Sequence, residues 1–526
     1  MPQRLEQRLS RLLNAGQQSI LQNALIGLEK ETLRVAMDGH IAQTPHPVTL
    51  GSALTHSYIT TDYSEALLEF ITPPFTDVQE TMQFLGDIHK FVYDRLDQEL
   101  LWATSMPCVV GGDDSIQIAR YGSSNIGTMK HIYRRGLGYR YGKVMQVIAG
   151  VHFNFSLADH FWPVFQEHEQ NKQALQDFIS SAYLGLIRNF QRYGWLILYL
   201  FGASPAVCKS FFAGMKTDLM EYDSSTYYNP YATSLRMSDI GYTNKSDKKS
   251  PLRVSYNHLN DYIKTLTEAI ETPCPDYEKI GVKVNGEYRQ LNANILQIEN
   301  EYYNTMRPKQ IPDPMEKPTL ALKRRGVRYV ELRSVDISPF HAIGVETSQL
   351  HFLESFLMFC LFHDSPPINS DERDEINHNQ LTTAGQGRDP AIKLQYHGRQ
   401  IPLKQWALEL CDQMQGICEV LDLEEKGQPY SQALAQQQET IYDVERTPSA
   451  RILSEMRQSG ETFFHFAKRK SQDYLEYFKQ QPLSAERLQL LSEEAEQSLQ
   501  RQTEIEASDT QSFDDYLQRY FSQPTD

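Results

Sequence analysis

The residues of this chain best placed to do chemistry are acids and bases set at alternate positions in apolar, strand-like segments. Glu29 and Glu31 lie in Ile26-Gly-Leu-Glu-Lys-Glu-Thr-Leu-Arg-Val35, and Glu331 and Arg333 lie in Val327-Arg-Tyr-Val-Glu-Leu-Arg-Ser334. Side chains two apart in a strand project from one face. One segment therefore presents two acids together, and the other an acid beside an arginine. Gathered carboxylates repel one another and lose solvation, so a fold that collects them needs a cation. Oxygen-rich sites suit magnesium or manganese. The chemistry indicated is that of a metal-phosphate site.

Other segments extend the theme. In Gly150-Val-His-Phe-Asn-Phe-Ser156, His152, Asn154 and Ser156 share one face and Val151, Phe153 and Phe155 the other. Such a polar row faces either a ligand-filled cleft or solvent. Ile59 to Ile71 supplies Asp62, Glu65 and Glu69, with Glu69 between Leu67 and Ile71 on one face of an expected strand. Leu296 to Tyr303 reads as extended, with Gln297, Glu299 and Glu301 on one face, and Arg307-Pro-Lys309 follows. No glycine-rich phosphate loop follows a strand. A nucleotide here would rest on metal ions and Arg or Lys side chains, without a cradle of backbone amides.

The elements that must position these residues mix helix and strand. Leucines at helical spacing predict a helix over 5–25 and another over 78–98, and 173–201 reads as a long helix. Strands are expected at 26–35, 146–156, 282–303 and 327–335. Beyond about 345 the pattern turns helical, at 348–362, 403–425, 430–445 and 484–507, while the Pro- and Asn-rich stretch 365–390 predicts a surface loop. The absence of a steady βαβ alternation favours an α+β fold with a mostly antiparallel sheet. The change of character near 345 divides the chain into a core of 1–345 and a helical region of 346–526.

Bulk composition narrows the function classes. With 526 residues and 22% charged groups the chain is an ordinary globular protein, and its net charge of −16 argues against nucleic acid as a partner. No run approaches the length of a membrane span, and the N-terminal stretch lacks a signal-peptide core, so a cytoplasmic location and no membrane partner are expected. Six scattered cysteines without a CxxC pair read as free thiols rather than zinc ligands or disulfides.

Read together, these segments resemble the proteobacterial type of glutamate–cysteine ligase (γ-glutamylcysteine synthetase). The likeness runs through Gly27 to Arg34, Ser52 to His56, Asp62 to Pro73, Ser105 to Cys108, Tyr121 to Gly127, Tyr133-Arg134 and Arg140 to Gly142. It continues in His152 to Ser156, Tyr199 to Pro205, Thr233 to Asp239, Gly241 to Lys245, Leu296 to Tyr303, Arg307 to Lys309 and Glu331 to Ser334. The resemblance implies a curved antiparallel sheet, of the type found in glutamine synthetase, lining a funnel-shaped active site. It also implies a reaction in which ATP phosphorylates the γ-carboxylate of glutamate and the amine of cysteine attacks the acyl phosphate.

By the same resemblance, Glu29, His152 and Glu331 hold the Mg²⁺ (or Mn²⁺) that bridges the ATP phosphates, and Glu31, Asp62 and Glu69 hold metals nearer glutamate. Arg333, catalytic together with Glu331, stabilises the transferring phosphoryl group, and Lys309 joins it at ATP. Tyr63, Tyr133, Tyr242 and Tyr303 form the cysteine pocket, with Arg134, Gln146 and Arg236 ordering that pocket or the glutamate. Tyr63 departs from the Phe of relatives, and its hydroxyl bears on how strictly a thiol-sized side chain is selected. The expected partners are glutamate, cysteine and ATP, and the expected state is a monomer. Rival readings are a ligase on the same fold with another amine acceptor, a metal-dependent hydrolase using the same carboxylates, and a catalytically dead scaffold.

Overall fold

The computed structural model of the chain describes residues 2–241 and 252–524. At its centre is a seven-stranded sheet in which every pairing is antiparallel. Its strands are Leu25–Ala36 (β1), Ile59–Thr61 (β2), Leu67–Ile71 (β3), Glu99–Leu101 (β4), Val151–Ser156 (β5), Met306–Lys309 (β6) and Tyr329–Val335 (β7). The order is β6-β7-β5-β1-β3-β2, with β4 pairing the far end of β1. The expected α+β class and antiparallel sheet are thus found.

Alternation decides what each face does. Ile26 and Leu28 of β1, Phe153 and Phe155 of β5, and Val330 and Leu332 of β7 are buried on one face. Burying such side chains supplies most of what holds the sheet, at roughly 2 kcal/mol for each fully buried one. Helices cover this face, among them Val78–Tyr93, whose N-terminus is capped when Asp77 accepts from Gln79 N–H. On the other face the same strands present their acids and bases.

One hydrophobic core runs from the sheet into the C-terminal helices, including Leu28, Phe153, Phe356, Met414 and Phe466. The helices used below are Val78–Tyr93 (α1), Asn125–Tyr141 (α2), Thr347–Phe362 (α3), Ser370–Gln386 (α4), Leu403–Leu421 (α5), Ala485–Ser508 (α6) and Phe513–Phe521 (α7). None of the described helices is long and apolar enough to cross a membrane.

Several expectations need correction, beginning with the helix predicted over 5–25, which ends at Asn14 and is followed by a 3₁₀ turn at Gln18–Leu21. The predicted loop 365–390 contains α4, capped where Asn369 accepts from Glu372 N–H. It buries a mostly polar or small face, Ile376, Asn379, Thr383 and Ala384, so the apolar periodicity that signals a helix is missing. The predicted strand 282–303 is only a ribbon of Lys283–Val284 with Glu287–Tyr288, followed by irregular chain. Its backbone is held by buried amides instead of a ladder: Leu291 N–H donates to Gln297 Oε1 at 3.0 Å, and Gln290 Nε2 donates to the Tyr277 carbonyl at 2.7 Å.

The predicted strand at 146–156 starts only at Val151, because Val144–Val147 forms a 3₁₀ turn. Finally, Cys108 and Cys208 are disulfide-bonded, with Cα atoms 5.4 Å apart across 100 residues of sequence. No local spacing announces a bond between such distant positions. The other four cysteines are free.

Candidate active site

Register brings the acids and bases of five strands onto one face. Glu29 on β1 lies opposite His152 on β5, and Glu31 lies opposite Glu69 on β3. Glu331 on β7 lies between Asn154 on β5 and Arg307 on β6. His152 Nδ1 is 3.1 Å from Glu29 Oε2 and 4.0 Å from Glu331 Oε1, and its Nε2 is 3.7 Å from Glu31 Oε1. Asn154 Nδ2 donates to Glu29 Oε1 at 2.8 Å, and Gly150 N–H donates to Glu31 Oε2 at 2.7 Å.

Three of these residues form a ligand set. Glu29, His152 and Glu331 each offer one ligand atom, and the three atoms lie within 4.8 Å of one another. Glu331 Oε2 is buried without a hydrogen-bond partner, and an orphaned carboxylate oxygen beside a second carboxylate and an imidazole fits a hard divalent cation. Among the described residues no other trio of His, Cys, Asp or Glu is this tight. Of the second expected ligand group, Glu31 and Glu69 share the face and Asp62, just past β2, lines the adjoining cavity with Glu31, without converging as closely.

The electrostatics separate the acids. Burial works to raise the Glu331 carboxyl, but Lys309, Arg333, His152 and Arg307 outweigh it and hold it well below the usual carboxylate range. Glu29 is likewise lowered, burial and Glu331 being overcome by His152 and Lys309. Burial, reinforced by Glu29, Asp62 and Glu31, pushes Glu69 well above the usual range, and burial raises Glu31 despite His152. Protein cations thus outweigh burial at the Glu29–Glu331 end, whereas at the Glu31–Glu69 end burial outweighs the pull of His152, Arg236 and Arg333.

Arg333 sits between the two. Its Nη1 donates to Glu331 Oε1 at 3.2 Å and lies 3.4 Å from His152 Nδ1, while its buried Nε has no partner. Burial would lower the guanidinium, but Glu331, Glu31 and Glu29 raise it. Lys309 Nζ is 3.3 Å from Glu331 Oε1.

Beside this face opens a cavity of about 120 Å³, lined by Tyr63, Tyr133, Arg134, Gln146, Tyr303, Arg307 and others, with Glu31, Asp62 and Arg333 on its border. Arg134 Nε donates to the Asp62 carbonyl and its Nη2 is 4.0 Å from Asp62 Oδ1. The Tyr63 ring is part of the wall, yet its hydroxyl is buried in the protein without a partner. Arg236 lies beneath the cavity, its Nη2 donating to the Arg333 carbonyl at 2.9 Å and its Nη1 3.6 Å from Asp336 Oδ1. A Cβ at position 150 would sit 2.0 Å from Arg236 Nη2, so only glycine allows this approach. Tyr242 lies outside the described residues.

The shared face expected of Gln297, Glu299 and Glu301 does not exist. Glu299–Glu301 is a 3₁₀ turn. Glu299 accepts from Thr319 Oγ1 at 2.6 Å, and Glu301 pairs with Arg140 Nη1 at 2.8 Å, so two of these groups are spent on structure. Two residues that the sequence left without a role belong here: Asn154, which holds Glu29, and Arg307, which lines the cavity next to Lys309. The same alternation that marked Glu331 and Arg333 applies to Arg307 and Lys309, and could have found the first of them.

Comparison with known proteins identifies the family. Residues 9–383 match the family model for glutamate-cysteine ligase. The glutamate–cysteine ligase of Alcanivorax borkumensis is 48% identical over 98% of this chain and 99% of its own, and that of Pseudomonas aeruginosa is 48% identical over 98% and 97%. The crystal structure of glutamate–cysteine ligase from Francisella tularensis in complex with AMP superposes with a TM-score of 0.89 at 38% identity, covering 95% of this chain and 97% of that one. A bifunctional glutathione synthetase from Pasteurella multocida shares the fold, with a TM-score of 0.73 at 23% identity over 93% of this chain and 58% of that one. The chain therefore belongs to the glutamate–cysteine ligase family, ATP-dependent enzymes that form γ-glutamylcysteine in the first step of glutathione synthesis.

Proposed function

We propose that the polar face of the sheet activates the γ-carboxylate of glutamate with ATP, and that the neighbouring cavity delivers the amine of cysteine. One observation carries this reading: the tyrosine-lined cavity borders Arg333 and Glu31 directly. An amine held there stands next to the group best suited to a phosphoryl oxygen. Transfer from ATP to a carboxylate crowds negative oxygens together, so catalysis is chiefly positioning and charge compensation.

In this scheme Glu29, His152 and Glu331 hold a divalent cation, Mg²⁺ or Mn²⁺, that compensates nucleotide phosphate charge when bound. Glu31, Asp62 and Glu69 hold metal on the glutamate side, where the nearby protein cations do not offset the burial of Glu31 and Glu69. Arg333 takes the charge that develops on the transferring phosphoryl oxygens, and its unpartnered Nε supports that role. Lys309 contributes to the nucleotide. As the γ-phosphorus–oxygen bond of ATP breaks, ADP leaves and an acyl phosphate forms. The amine of cysteine then attacks the acyl carbon, and phosphate departs with the former carboxylate oxygen.

Tyr63, Tyr133 and Tyr303 wall the acceptor pocket, with Tyr242 assigned to it by the family pattern. Arg134 and Gln146 face the ligand, and Arg236 holds Arg333 from behind. A monomeric enzyme remains part of this reading. Residues 1–345 form the catalytic core, and 346–526 a helical region packed on it through a shared hydrophobic core. The net charge of −16 supports a reading without a nucleic-acid partner, and a cytoplasmic location without a membrane partner remains part of the proposal.

Phosphate release over a panel of amine acceptors tests the reading. Fast turnover with cysteine and 2-aminobutyrate, strictly dependent on ATP, is expected. Poor turnover with both beside fast turnover with another amine overturns it, as does turnover without nucleotide.

A further inference from the structure

The cavity wall opposite the sheet is α2, which carries Tyr133, Arg134 and Leu137. Leu137 and Tyr141 at its C-terminal end pack against the main core, but its N-terminal half is seated elsewhere. Met129 and Ile132 of α2 join Leu291 and the C-terminal Tyr516, Leu517 and Tyr520 of α7 in a small core of their own, and Tyr133 packs against it. The ring of Tyr133 thus stands between the acceptor cavity and a core that the C-terminal helix completes.

The start of α2 is also gripped from the C-terminus. Asp509, at the end of α6, accepts from Asn125 N–H and from Asn125 Nδ2, the latter at 2.8 Å, and Glu506 accepts from Ser123 N–H at 2.8 Å. Negative charge at a helix N-terminus is favourable, because the first-turn amides carry partial positive charge. Gly122 has φ +78°, and a Cβ there would lie 2.0 Å from Glu506 Oε1. The loop therefore rests directly on α6.

The same helix holds the segment that leads into β2. Ser52 N–H donates to Ser498 Oγ at 2.9 Å, Ser57 N–H to Glu494 Oε1 at 2.8 Å, and Arg501 Nη2 to the Thr55 carbonyl at 2.9 Å. β2 runs into Asp62 and Tyr63, which meet Arg134 across the cavity. One C-terminal helix is thus bonded to the approaches of both cavity walls.

We propose that α6 and α7 are a brace that sets the spacing of the acceptor pocket, with Asp509 and Leu517 as positioning residues that touch no substrate. This rests on the acceptor-pocket reading above. A rigid wall matters because a small displacement of substrate-orienting groups reduces turnover severely.

Asp509→Asn and Leu517→Ala in the full-length enzyme test the brace. Each should raise the KM for cysteine about tenfold while the KM for ATP moves less than about twofold, and Asp509→Glu, which keeps the charge, should retain the lower value. Met414→Ala, in the main core of α5, should lower the thermal midpoint without raising the cysteine KM. If Asp509→Asn and Leu517→Ala leave the cysteine KM unchanged, or raise both KM values equally, the brace is overturned. Tyr133→Ala separates the two levels: if it moves the cysteine KM and the brace variants do not, only the brace fails. If Tyr133→Ala does not move it either, the acceptor pocket itself has been misassigned.

Discussion

Glu31 and Glu69 stand directly opposite each other on adjacent antiparallel strands. Like charges in that relation repel, and burial leaves both carboxyls raised. Such a pair is a standing defect in the unliganded sheet and a ready ligand set once a cation arrives. Glu69→Gln is expected to stabilise the unliganded protein by about 0.5–1 kcal/mol while reducing both turnover and the gain in thermal midpoint that Mg²⁺ confers. Calorimetry with and without Mg²⁺ checks both signs. A variant that is less stable and still gains as much from Mg²⁺ removes Glu69 from the metal site.

Arg333 is the residue whose loss should weigh most on chemistry. A donor that stabilises transition-state charge is worth about 3–4 kcal/mol, so Arg333→Ala should lower turnover by roughly two to three orders of magnitude. Arg333→Lys should recover little, since one ammonium cannot reproduce a planar fork of donors. Phosphate-release kinetics, with circular dichroism to verify the fold, measure this. Near-normal turnover in the alanine variant would exclude a phosphoryl role.

The Tyr63 hydroxyl is buried and unpartnered, and burial raises its pKa. An unsatisfied buried hydroxyl costs about 1–3 kcal/mol. Tyr63→Phe should therefore raise the denaturation midpoint and leave the cysteine KM almost unchanged. A large rise in that KM would show that the hydroxyl reaches the substrate.

Glu354 gives a pH signature remote from the site. It is buried in α3 beside Tyr430, whose hydroxyl donates to Glu354 Oε2 at 2.8 Å, and burial pushes its pKa from 4.5 up to about 7. Between those two values the folded protein binds a proton that the unfolded chain has lost, so stability falls as pH rises through that window and levels above it. Glu354→Gln should abolish the fall, gaining on the wild type by about 3 kcal/mol between pH 4 and pH 8. Urea unfolding across that range is the measurement. Parallel curves for the two proteins would refute the assignment.

Much of this site was legible before any fold was known. Alternation within single strands put Glu29 with Glu31, Glu331 with Arg333, and His152 with Asn154, because the period of a strand is local and fixed. The same logic failed at 297–301, where polar alternation belongs to side chains that satisfy irregular backbone. It failed again at 370–386, where a helix held by its cap and by polar burial carries no apolar stripe. The family pattern named the tyrosines, but their neighbours were beyond any local rule.

What the sequence alone determined is the chemical inventory: which acids, arginines and tyrosines are present, and which of them share a strand face. Tertiary structure decided which strands are neighbours. It placed Glu29 against His152, set Arg236 behind Arg333, joined Cys108 to Cys208 across 100 residues, and brought the last helix against Tyr133. Register and packing depend on contacts between residues far apart in the chain, and no short-range periodicity records them.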